Sequence, residues 1–156
     1  MQTVNERSAS CFYCDDIRHE VGGKLTLVGM YPDGAHVQCP PQGAVVLPKF
    51  CVIGFFRTPT EQPVESLRCE LRLDEMVLHG VDLPREALTA EKPANADPRG
   101  STAQLMMEFG NFVIPRAGIL RLVMIADGLA YECPGLRFAA ADSKPDVPMT
   151  GLPAQG

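Results

Sequence analysis

Four residues carry the spacing of a metal site: Cys11 and Cys14, three apart, and His36 and Cys39, again three apart. Three thiols and an imidazole match the donor count of a structural zinc centre, where sulfur and nitrogen ligands close a tetrahedron. The context argues against it. Residues three apart on an extended strand point to opposite faces, and neither pair sits in a glycine-marked knuckle. Packed thiols are the preferred reading, and only the tertiary structure decides whether Cys11, Cys14, His36 and Cys39 converge. Asp15 and Asp16 are adjacent carboxylates, which on a strand face opposite ways and cannot address one substrate as acid and base without a bulge. Asp16 is expected to pair with Arg18, and Asp15 to accept hydrogen bonds at a sheet end. His19 falls among apolar neighbours, where a histidine is more often a hydrogen-bonded filler than a base. His36 and His79 belong to no motif. No nucleophile turn or oxyanion loop accompanies any cysteine. Gly22-Gly23-Lys24 lacks the preceding glycine and the following Ser or Thr of a phosphate loop. No catalytic, cofactor-binding or metal-binding residue is therefore assigned, and no cofactor is expected.

The element that would position most of these groups is a β-hairpin. Two arms of β-branched and apolar residues flank Gly22-Gly23, and glycine accepts the positive φ of a tight reversal. A three-residue loop over 22–24 sets Val21 beside Leu25, His19 beside Leu27 and Ile17 beside Gly29. One face is then mainly apolar, with Glu20 meeting Thr26 and Arg18 meeting Val28 on the other. The run Cys14-Asp15-Asp16-x-Arg18-x-Glu20-x-Gly22-Gly23-Lys24-Leu25-x-Leu27-x-Gly29 resembles the opening of a group of uncharacterised bacterial β-rich domains. The resemblance covers mostly the first fifth of the chain. It implies a β-rich fold and no activity or site residues.

The rest of the chain reads as short strands. Phe50-Cys51-Val52-Ile53-Gly54-Phe55-Phe56 is apolar on both parities, as for a central strand buried on both sides or bent at its glycine. Leu67, Cys69, Leu71 and Leu73 alternate with Arg68, Glu70, Arg72 and Asp74, a half-buried strand. A short edge strand is expected over 35–38, another strand over 76–78, and a short helix over 84–91 starting at Pro84. Residues 92–101 read as a long loop. Strands over 103–114 and 117–126 follow, then an Asp127-Gly128 hairpin with return arm 129–132, and a last strand over 136–138. The segment 105–109, with Met106-Met107, has one charge and no proline. At a sheet edge it would invite pairing with another chain, although a central position is favoured.

With 156 residues, 46% hydrophobic and 21% charged, the chain is of a size for one domain. The expected organisation is a flexible arm over 1–8, one domain over 9–142 and a disordered tail over 143–156. Fourteen glycines, 14 prolines and no Trp favour turns and short strands over long helices. About seven to nine strands with turns between them predict a mainly β fold: an antiparallel β-sandwich, immunoglobulin-like or C2-like, with at most one short helix. A net charge of −5 without a Lys/Arg cluster argues against nucleic acid. No window is long and apolar enough for a membrane span, and the start lacks the basic and apolar regions of a signal peptide, so a cytoplasmic location is expected. Free thiols are expected for the six cysteines. These readings imply a non-catalytic binding, interaction or structural module, with an unknown protein or a second copy as partner. The alternatives are a small hydrolase or metal-dependent enzyme using a cysteine, His19 and Asp15/Asp16, or a phage-like or secretion-like assembly component.

Overall fold

The computed structural model describes residues 6–40, 43–88 and 98–140. It is mainly β, with eleven strands and one single-turn helix, α1 (Arg85–Leu88), among the described residues. The strands are β1 (Ser8–Cys14), β2 (Asp16–His19), β3 (Leu25–Val28), β4 (His36–Cys39), β5 (Val45–Pro59), β6 (Leu67–Leu73), β7 (Met76–Leu83), β8 (Gly100–Ile114), β9 (Gly118–Ala126), β10 (Leu129–Glu132) and β11 (Leu136–Ala140). One sheet has the order β1-β5-β8, and a second the order β4-β11-β9-β6-β7, with β10 also beside β9. The hairpin β2–β3 forms a third, separate ladder. No helix of the described residues is long and apolar enough to cross a membrane.

The two larger sheets face each other across one core. Alternation in β6 sends Leu67, Cys69, Leu71 and Leu73 inward, and β9 contributes Leu120, Leu122, Met124 and Ala126. The first sheet answers with Tyr13, Phe50, Val52, Phe56 and Met107. Closest approach falls at Gly54, where an added Cβ would lie 2.5 Å from Met124 Cε and 2.7 Å from Leu122 Cδ2. The glycine inside β5 thus admits the opposite sheet. Tyr13 is the polar tie across this core: its hydroxyl donates to Pro134 O at 2.8 Å and accepts from Leu122 N at 3.0 Å.

The other parity of β5 has its own cover. Cys51 and Ile53 pack with Cys14 and Ile17 beneath the β2–β3 hairpin, with Leu25, Leu27 and Phe55 alongside. A strand apolar on both parities is therefore central and covered on both faces, by the second sheet on one and by the hairpin on the other.

Several details differ from the sequence reading. The hairpin pairs Asp16 with Val28, Ile17 with Leu27, Arg18 with Thr26 and His19 with Leu25. Its loop is Val21-Gly22-Gly23, closed by Glu20 N to Lys24 O at 2.8 Å. Both glycines take positive φ, 84° and 76°, so the reversal is completed before Lys24. The slip is two residues, which preserves the faces and leaves Val21 96% exposed at the tip. The chain also breaks at Asp15, which places β1 and β2 in different ladders. The Asp15 amide donates to the carbonyls of Val28 and Gly29. Gly29, at φ 65°, has no room for a Cβ against the Asp15 carboxylate. Strand β4 pairs with β11 in parallel, an exception to the antiparallel scheme that is reached because most of the domain separates the two in sequence. Strand β8 lies at the edge of its sheet among the described residues and not at the central position its apolar composition suggests. Strand β7 runs to Leu83; of the helix expected over 84–91, residues 85–88 are helical and residues 89–91 lie outside the described residues. At the N-terminal end, Ser8 already belongs to β1, and Arg7 bonds Gln62 O, Pro63 O and the Asp127 carboxylate. The tail over 143–156, most of the loop over 92–101 and residues 1–5 of the arm lie outside the described residues.

Candidate functional site

Strand β8 pairs with β5 along its length, from Gly100–Pro59 to Ile114–Val45. Its other edge has no strand partner among the described residues. Thr102, Gln104, Met106, Glu108 and Gly110 point to the outer face and are exposed, while Leu105, Met107 and Phe109 point into the sandwich. Asn111 then takes φ 50° opposite Pro48, which drops out of the register and cannot donate to the ladder. Side-chain parity flips there, so Phe112 and Ile114 turn inward. Glu108 is the only charge in the strand, and there is no proline. Strand β1, the opposite edge of this sheet, also has no charge and no proline, but it is seven residues long against fifteen, and other edges have features of their own. Strand β7 presents Asp82, ion-paired with Arg68 at 3.1 Å; β4 is four residues long; and the Tyr13 carbonyl of β1 accepts the Tyr31 amide at 2.9 Å. Beside the free edge lie exposed Met106 and the cross-strand pair Val46–Val113.

Where β8 meets the hairpin, one ligand atom each of Asp16, Cys51 and Glu108 lie within 4.8 Å of one another. Cys51 and Glu108 are direct cross-strand neighbours, and β2 lowers Asp16 onto them. The cation already there is Lys49, whose ammonium is bonded to Asp16 and holds that carboxyl below its usual range. Arg18, the expected partner, is at 3.9 Å. Burial pushes the Cys51 thiol up, and Glu108 adds to this. The group is a buried thiol whose pKa is raised, between the Lys49-paired Asp16 and Glu108.

The zinc quartet does not assemble. Cys11 faces the main core and Cys14 the hairpin-covered face, as residues three apart on a strand must. Cys39 is buried in the main core, and His36 is exposed on β4. All six cysteines are free. Cys11 lines a cavity of about 360 Å³ with Phe12, Met30, Tyr31, Asp33 and Pro134. It shares a hydrogen bond with Cys133, which lowers the Cys11 pKa; the same contact and burial raise that of Cys133. Tyr31 O–H donates to Asp15 Oδ1 at 3.1 Å, and burial pushes its phenol up to about 12. His19 is exposed on the hairpin, and His79 meets the Phe109 ring edge-on at 5.1 Å. The Cys, His19 and Asp15/Asp16 set of the enzyme alternative is thus split: Asp16 meets Cys51, with Lys49 and Glu108 as the further members. Sequence reading missed Lys49, Glu108 and Cys133 because their partners come from other strands. The only usable signal was parity, which places Lys49 and Cys51 on one face of β5. Comparison with family models, with curated proteins and with solved structures yields no match.

Proposed function

We propose that this domain is a non-catalytic binding module whose contact surface is the free edge of β8, and that its partner is a second copy of the same chain. The observation that carries this reading is the long edge of β8 over residues 101–114, with one charge and no proline. Such an edge exposes unpaired N–H and C=O groups and is a template for strand addition. Two identical edges paired antiparallel are related by a twofold axis, so one sequence supplies both sides. With Met106 on that axis, Glu108 faces Gln104 of the partner subunit and Thr102 faces Gly110 of the partner subunit. The lone carboxylate then meets an amide donor instead of its own copy, and the exposed methionines are buried together. The enzyme alternative gains less support, because the converging thiol is pushed toward its protonated form and its neighbours are a carboxylate pair and a lysine. An assembly component would require growth beyond the dimer.

Sedimentation equilibrium across a concentration series tests the reading. A dimer that Met106→Lys converts to monomer is expected, since two ammoniums would meet at the axis. Met106 is 38% exposed, so folding should survive; Met107, 6% exposed, faces the core and is unsuitable. A monomer at every concentration, a dimer indifferent to Met106→Lys, or open-ended growth overturns the proposal.

A further inference from the structure

The outer face of the second sheet carries a cationic cavity remote from the β8 edge in the strand order. Its volume is about 260 Å³, and its lining includes His36, Ile119, Arg121, Gly135 and Arg137. Strand register builds it. His36 neighbours Arg137 across the parallel β4–β11 pair, and Arg137 neighbours Ile119 across β11–β9. Arg121, two residues beyond Ile119, shares its face. Three nitrogen-bearing side chains from three strands therefore ring one depression.

The floor is backbone. At Gly135 an added Cβ would overlap Ile119 and lie 3.5 Å from Arg121 Nε, so no side chain fits there. That Arg121 Nε is buried without a hydrogen-bond partner, and buried donors are normally satisfied. Packing against Gly135 thus fixes the guanidinium in place. Arg121 Nη1 stands 3.5 Å from Glu132 Oε2, a loose pair whose carboxylate is mostly exposed. Arg137 has no carboxylate partner among the described residues. Asp74 also feels the Arg121 charge and accepts from Ile119 N, but it is ion-paired with Arg116 at 2.7 Å. Three guanidiniums thus stand against two carboxylates, a local cationic surplus in a chain of net charge −5.

We propose that this cavity binds a phosphate group, held by Arg121, Arg137 and His36. Guanidinium forks match phosphate oxygens with charge-assisted hydrogen bonds, and an imidazole supplies a further N–H in either tautomer. Donors arriving from three strands suit a tetrahedral anion better than a planar carboxylate, which one fork can satisfy. The phosphate is free or carried on a small ester.

The test is an NMR titration of the full chain with inorganic phosphate and, separately, glycerol phosphate, at constant ionic strength set with sodium chloride. Saturable shifts confined to the Arg121 Nε–H and to amides around residues 34–36 and 135–137 are expected with at least one of them. The tighter of the two identifies the source. Arg137→Gln should weaken binding at least tenfold with an unchanged melting temperature, and Arg18→Gln, on the hairpin, should leave it unchanged. Shifts that do not saturate, that chloride reproduces, or that survive Arg137→Gln overturn the proposal.

Discussion

Replacing Tyr13 by Phe removes one oxygen atom and two hydrogen bonds from the tie between the sheets. The ring stays, stacked on Phe50 with centroids 6.2 Å apart. What changes is that Leu122 N–H and Pro134 C=O, both partnered by the hydroxyl, lose that partner. Tyr13 is 6% exposed and Leu122 is fully buried, so water does not readily replace the lost oxygen. An orphaned buried backbone group costs about 1–3 kcal/mol. Leu122 N–H bears the full penalty and Pro134 C=O, nearer the surface, a smaller one, for a sum of about 2–4 kcal/mol. At about 3 °C per kcal/mol for a domain of this size, the melting temperature should fall by about 6–12 °C. Tyr31→Phe is the internal control, because its hydroxyl donates to the exposed Asp15 carboxylate, and a loss of about 1 kcal/mol or less is expected. Thermal unfolding followed by circular dichroism reads both variants. If Tyr13→Phe melts within ~2 °C of the parent, or no lower than Tyr31→Phe, the hydroxyl is not the tie described here.

Acid should destabilise the fold through Asp127, whose carboxyl is held below its usual range by the Ser66 amide, then by Arg7 and the Glu65 amide. A folded pKa below the unfolded one gives stability that is present above the unfolded value and lost as pH falls through the folded value. Asp127→Asn should therefore flatten the acid limb of a stability–pH profile, and an unchanged limb would contradict this. Among the thiols, Cys11 should be alkylated first, because its hydrogen bond with Cys133 lowers its pKa while burial pushes Cys69 to about 12 and Cys14 to about 11. Peptide mapping after brief iodoacetamide treatment checks the order, and early labelling of Cys69 or Cys14 would refute it. Ile17→Ala should cost about 2–4 kcal/mol in urea unfolding, since Ile17 plugs the hairpin onto β5. Val21→Ser, at the exposed tip, should change stability by less than ~0.5 kcal/mol, and equal effects would mean that the hairpin is not docked.

Local chemistry was enough to place most of the ladder. Alternation identified β6 and its buried face, Asp127-Gly128 announced the β9–β10 turn, and the two-sided apolar run marked β5 as central, because side-chain parity and turn conformation are properties of neighbouring residues. Even the hairpin faces survived a wrong register, since a slip of two preserves parity. What the tertiary structure decided is everything that depends on which strands meet. The break at Asp15, which folds the hairpin over Cys51 and Ile53, follows from hydrogen bonds to Val28 and Gly29 across the turn. The parallel β4–β11 pair, the edge position of β8, and the meetings of Asp16 with Lys49, Cys11 with Cys133 and His36 with Arg137 join residues far apart in the chain. Parity states which face a side chain occupies, but only strand order and register supply its neighbours. Among the described residues, the Asp16–Cys51–Glu108 group and the His36–Arg121–Arg137 cavity are assembled from different strands, which is why the sequence alone specified a β fold and left its chemistry open.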